Sequence, residues 1–319
     1  MSTSRDFSRQ ATLGGVVELA GIGVHSGAAI SITLRPADPG TGIVFLRTDF
    51  DANVDGEVRA HHALVSATDL CTVLGDVSGP SVSTVEHLLA ALSAFAVDNA
   101  IVEIDGGEMP ILDGSSSDFV RAIASVGVRN QSVTRRYLKV LKPIRVEVGN
   151  SFGEVRPYNG FSIDVEIDFA SEVIGRQRFA FDVNAESFTK EVSRARTFGF
   201  MADVEKLWSA GFALGASLEN TVVIGEDRVV NPEGLRYDDE FVRHKALDAV
   251  GDLSLAGAPL IGAFKSYRGG HSLNIALLRA IFEDRDAWSL VELEPRRSHV
   301  AYSEASPRIA TAAFGPDVS

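Results

Sequence analysis

The sequence is poor in several features that would each announce a function. One cysteine, Cys71, occurs in 319 residues. That excludes an internal disulfide and every zinc scheme built on several thiolates, so a metal bound by this chain must use histidine and carboxylate. A reducing, cytoplasmic setting fits. No apolar run approaches the roughly eighteen residues a membrane-spanning helix needs, and Met1–Phe7 lacks the apolar core of a signal peptide. A soluble protein without stable membrane insertion is therefore expected. Cations are outnumbered, with 30 Lys and Arg against 43 Asp and Glu and a net charge of −13. The field of the whole molecule repels phosphates, which argues against a nucleic-acid or anionic-membrane binder. An anionic ligand would need a local basic patch. There is also no compact metal motif: His25, His61, His62, His87, His244, His271 and His299 are spread along the chain. Any metal site is assembled by folding.

What is present describes a globular protein, 45% hydrophobic and 23% charged, whose length suggests two domains. Ala29–Leu34 alternates apolar and polar, and Gly42–Arg47 is a second strand-like run; the glycines of 21–27 before them match no phosphate or dinucleotide fingerprint and read as a turn. Ser83–Leu92 reads as a helix, Asn99–Ile104 as a strand and Phe119–Ala124 as a short helix. The polar stretch Val128–Arg136 is taken as the boundary, giving an N-terminal domain over 1–134 and a C-terminal one over 135–319. Beyond it, strands are expected at 138–141, 144–148 and 161–169, the last with one wet and one dry face. Met201–Gly211 looks helical, Thr221–Val230 suggests a hairpin through Gly225-Glu226, and a strand at Leu260–Phe264 leads to a final helix over Ser272–Phe282. Each half supplies strands and then a helix, which suggests a duplicated α+β unit.

The chemistry-bearing residues begin with Tyr237–Leu253. At helical spacing His244, Asp248 and Asp252 form one ridge, with Val242, Ala246, Ala249, Val250 and Leu253 opposite. Taken alone, the ridge is better explained by a solvated helix face. In Ser83–Leu92, Ser83 and Glu86 have capping-box spacing, which would by itself account for Glu86, while His87 lies off the apolar stripe. Together His87, His244 and Asp248 make a two-imidazole, one-carboxylate set that leaves zinc a fourth position for water, with Glu86 placed to deprotonate it. His271, paired with Asp252, could stay protonated and serve a leaving nitrogen. These are parts for metal-assisted amide hydrolysis, although iron oxygenases use the same ligand types.

The stretches Ser83-Thr84-Val85-Glu86-His87-Leu88, Ser193-Arg194-Ala195-Arg196-Thr197-Phe198-Gly199-Phe200 and Phe241–Leu253 narrow the choice. In that order, and with Gly21–His25 before them, the chain resembles the UDP-3-O-acyl-N-acetylglucosamine deacetylases, zinc amidases of lipid A synthesis. The resemblance runs almost end to end. It implies two α+β domains of similar topology, each a sheet with packed helices, and an active site at their interface. It implies zinc on His87, His244 and Asp248, Glu86 as general base, His271 as the second catalytic residue with Asp252 as its partner, and Thr197 holding the oxyanion. Phe198 would lie against the sugar, Lys245 and Arg268 at the diphosphate and Phe169 near uridine, with Lys265 adding to the basic patch. Residues 197–218 would form an acyl-chain passage, or be ordinary core. A small departure is Ser26, where relatives often carry threonine. The substrate is then a UDP-linked acylated amino sugar and the protein a monomer. A different acylated nucleotide sugar, or a silent nucleotide-sugar-binding protein, is the alternative.

Overall fold

Alternation of apolar and polar residues builds the first sheet. In the strand Ala29–Pro36, Ile30, Ile32 and Leu34 face the core while Ser31 and Arg35 are exposed, as a period of two requires. The computed structural model, which describes residues 6–51, 55–76 and 78–293, places five strands in the order Val17–Ile22, Ala29–Pro36, Ala100–Ile104, Ile43–Arg47 and Glu57–Arg59. His299 and the first five residues lie outside the described residues. The helices Glu86–Ala94 and Ser117–Val126 belong to the same half.

The second sheet has seven strands centred on Leu260–Tyr267. One edge of that strand pairs in parallel with Phe161–Asp168; the other pairs with Ser151–Arg156 antiparallel and Arg136–Val140 in parallel. Ile163, Val165 and Ile167 are buried on the expected dry face, and Asp164 and Glu166 opposite are paired with Arg178 and Arg176. The helices Glu240–Ser254 and His271–Glu283 complete an α+β fold in which five strands of 17–104 build one of these sheets and seven strands of 136–292 the other.

Several expectations are corrected. The polar stretch after Gly127, taken as the boundary, itself contains a strand, Val128–Thr134, antiparallel to Arg9–Leu13. Its polarity reflects exposed positions on a two-stranded ribbon. The hairpin expected over 221–230 is reduced to one antiparallel bridge, Ile224 with Val229; the strand Val222–Ile224 takes its ladder from Phe198–Phe200 in parallel. The helical reading of Met201–Gly211 holds over Met201–Ser209, as a 3-10 turn, Met201–Asp203, followed by the α-helix Val204–Ser209. No capping box forms at Glu86. Thr84 adopts a left-handed φ of 58°, Val85 becomes the N-cap, and the Ser83 hydroxyl donates to the Gly107 carbonyl at 3.2 Å. Glu86 is thus available for other work.

The Glu240–Ser254 helix differs most from a solvated face. Twelve of its fifteen residues are buried, including His244, Asp248 and Asp252, so the polar ridge points into protein. It packs on the Glu86–Ala94 helix at Gly251, where an added Cβ would stand 2.1 Å from the Glu86 carbonyl oxygen. Only glycine permits that approach.

Candidate metal and catalytic site

The close helix pair brings His87 and Glu86 from one half against His244, Asp248 and Asp252 from the other. One ligand atom each from His87, His244 and Asp248 lies within 4.8 Å of the others. His244 Nε2 is 3.3 Å and His87 Nε2 3.7 Å from Asp248 Oδ1, and the imidazoles are edge to face at 5.0 Å. His244 Nδ1 donates to the Ala195 carbonyl at 3.0 Å. The proton is therefore on Nδ1 and the Nε2 lone pair faces Asp248. Burial keeps both imidazoles neutral, pushing His87 down to about 3 and lowering His244. Asp248 is held well below the usual carboxylate range; burial opposes this, and the positive charges of Lys245 and His271 outweigh it. Its Oδ1 is buried with no hydrogen-bond donor while Oδ2 accepts from Lys245 Nζ at 2.8 Å. Two neutral nitrogen donors converging on an unpartnered carboxylate oxygen suit a cation.

On the other side of Asp248 stand Glu86 and His271. His271 Nε2 is 3.8 Å from Glu86 Oε1 and 3.9 Å from Asp248 Oδ2, and its Nδ1 donates to Asp252 Oδ2 at 2.9 Å. Burial, with Asp252 and Asp248 adding to it against His271, raises Glu86 to about 7. For His271, burial favours the neutral ring, but Asp252 and Glu86 overcome it and raise the group to about 9. Near neutral pH an acid and a base face each other, their proton affinities set by environment.

A wall of aromatics and cations adjoins this core. Phe198 lies 6.3 Å from the His244 ring and under Lys245 Nζ at 5.7 Å, and Phe169 meets Phe198 at 5.8 Å. Phe169, Lys245 and Arg268 line one cavity of about 430 Å³ together with Asn150, Asp168 and Gly269. Lys265 does not line it; it sits over Asp164 on the sheet at 4.0 Å. Thr197 is half-buried, its N–H donating to the Gly114 carbonyl and its carbonyl accepting from Val222 N–H, both at 2.8 Å. Around residues 197–218, Met201, Trp208, Phe212 and Leu214 are exposed and not core.

Sequence reasoning missed the supports. Arg196 is buried and donates to Glu240, Glu233 and the Gly234 carbonyl. It pins the loop whose neighbouring Ala195 carbonyl orients His244. Thr72 and Asn274, which bond to Asp252, carried no signal beyond Thr72 following the single cysteine.

An α+β fold with a buried His, His, Asp cluster beside an acid–base pair defines the class of a candidate metal-dependent hydrolase. The chain belongs to the LpxC family, UDP-3-O-acyl N-acetylglycosamine deacetylase, which it matches over residues 10–283. Relatives from Brucella ovis and Brucella canis, each named UDP-3-O-acyl-N-acetylglucosamine deacetylase, are 56% identical over 284 residues, covering 89% of this chain and 98% of each relative. The protein of that name from Brucella melitensis biotype 2 matches to the same extent. Among the described residues no helix is long and apolar enough to cross a membrane.

Proposed function

We propose that this chain hydrolyses the N-acetyl amide of a UDP-linked 3-O-acyl-N-acetylglucosamine, releasing acetate and the free amine, the committed step of lipid A biosynthesis. The observation that carries the reading is the convergence of His87, His244 and the unpartnered Asp248 Oδ1 beside the Glu86 and His271 pair. His87, His244 and Asp248 would hold zinc. Bound there, zinc supplies Lewis-acid polarisation of the amide carbonyl and acidifies water.

The chain's own residues divide the proton work. Glu86 takes the proton of the attacking water as a carbon–oxygen bond forms. His271, kept cationic by Asp252, delivers a proton to the nitrogen as the carbon–nitrogen bond breaks. The Thr197 hydroxyl steadies the oxyanion. Phe198 packs on the sugar, Lys245 and Arg268 receive the diphosphate and Phe169 the uridine; one cavity holding two cations and an aromatic ring supports that assignment. The local charge offsets a net charge that would otherwise repel the substrate.

The exposed apolar side chains of 201–214 support an acyl-chain passage there. We place the division between the halves at 134/135, since Val128–Thr134 pairs within the N-terminal half and Arg136–Val140 within the second sheet. The enzyme works in the cytoplasm as a monomer. Acetate release from the proposed substrate tests the reading. It should stop on chelation, return with zinc, and be nearly abolished in Glu86→Ala with the metal still bound. Wild-type turnover in that variant would remove Glu86 from the mechanism.

A further inference from the structure

Thr72 lies fully buried between Leu70, whose φ of 67° is left-handed, and the strand Val73–Gly75. Its backbone N–H donates to Glu86 Oε2 at 3.1 Å, and its hydroxyl donates to Asp252 Oδ1 at 2.6 Å. A hydroxyl has one hydrogen. With that hydrogen committed to a carboxylate, the oxygen turns a lone pair to His271 Nδ1 at 3.3 Å. Nδ1–H also donates to Asp252 Oδ2 at 2.9 Å, so it sits between two acceptors and Nε2 is left facing Glu86 Oε1 at 3.8 Å. Asp252 Oδ2 has a second donor in Asn274 Nδ2 at 2.8 Å. Oδ1 takes its hydrogen from Thr72. Removing that donor would leave a buried carboxylate oxygen unsatisfied and the carboxylate free to turn toward another partner, carrying the imidazole with it.

We infer that Thr72 is a positioning residue that sets Glu86 and His271 against each other, holding the first through its backbone and the second through Asp252. The inference rests on the roles given to Glu86 and His271 above. The Leu70 turn and the strand start fix the Thr72 backbone, so one short rigid segment ties the base to the acid. A side-chain substitution separates the two ties. Thr72→Val has nearly the same shape, keeps the N–H to Glu86 and loses only the hydroxyl, whereas Thr72→Ser keeps the hydroxyl and loses a methyl.

Steady-state acetate release is measured for both variants in wild-type and His271→Ala backgrounds. Thr72→Val should lower kcat about 10- to 100-fold, as loss of a group that orients a reactive residue does, with KM changed less than about twofold. Thr72→Ser should stay within about threefold of wild type, because the hydroxyl that orients the ring is retained. In His271→Ala, Thr72→Val should cost less than about twofold, since the group it positions is gone. A packing role would carry the same loss into both backgrounds. Wild-type turnover in Thr72→Val, an equal loss in the two backgrounds, or failure of serine to rescue would each overturn the inference while leaving His271 in place. Wild-type turnover in His271→Ala itself would overturn the reading of that residue and, with it, the inference.

Discussion

Gly251 allows the site to be disturbed from a position that touches no substrate. A Cβ there would stand 2.1 Å from the Glu86 carbonyl oxygen, 2.8 Å from its carbonyl carbon and 2.9 Å from its Cα. All three are backbone atoms, so no side chain can swing aside. The two helices must part by more than about 1 Å to restore ordinary contact distances. In Gly251→Ala two stability effects oppose each other: alanine favours the helix by about 1 kcal/mol, and overpacking costs about 1–3 kcal/mol. The net change is therefore a loss of about 0–2 kcal/mol. Function is not protected in the same way, because the displacement separates Glu86 and His87 from His244 and Asp248. A misplacement of about 1 Å costs on the order of 100-fold in rate. Acetate release, bound metal per chain and thermal unfolding should show a Tm lowered by no more than a few degrees, with a large loss of kcat and weaker metal retention. A variant stabilised by the full helix-propensity gain, with wild-type turnover, would refute the close packing on which this reasoning depends.

Arg196→Met should be costly, because it leaves Glu240, which is 0% exposed, without its charge partner. Breaking a buried ion pair costs about 3–5 kcal/mol, and a destabilisation below about 1 kcal/mol in urea unfolding would contradict the pairing. Acid should weaken the fold through His62, pushed down to about 4 mainly by burial and then by His61 and Arg279. The unfolded chain then binds a proton that the folded one refuses as pH falls from 6.5 toward 4, so stability is lost across that window. His62→Phe, which can keep the stacking on Phe282, should show a shallower fall in Tm over the same range; parallel slopes would exclude His62. The rate should rise with pH as Glu86, near 7, loses its proton and fall as His271, near 9, loses its own. A bound cation moves both limbs to lower pH, and a flat profile from about pH 5 to 10 would contradict the division of roles.

The ridge of His244, Asp248 and Asp252 was legible because helical periodicity is local: spacing alone puts the three on one line. Which way the ridge faces was not legible. Its direction depends on Gly251 meeting the Glu86 backbone, a contact between segments far apart in sequence. The capping-box spacing of Ser83 and Glu86 pointed to a local explanation that Thr84 overrides by turning the chain left-handed. The loop at 193–200 was opaque for a similar reason, since Arg196 acquires its purpose only when Glu240 and Glu233 arrive from elsewhere. The strand at Val128–Thr134 was not legible because a two-stranded ribbon buries little and can be polar on most positions. Phe169, Arg268 and Lys245 were grouped by resemblance, and they line one cavity. Lys265, grouped with them, lies over Asp164 instead because its strand turns it that way.

The central claim is that His87, His244 and Asp248 hold the catalytic metal. Anomalous X-ray scattering from crystals of the zinc-loaded protein, collected on either side of the zinc edge, tests it most directly. The account predicts one peak within bonding distance of His87 Nε2, His244 Nε2 and Asp248 Oδ1, with Glu86 beside it and not coordinating. A peak elsewhere, or one reached by only one of these three side chains, would contradict it.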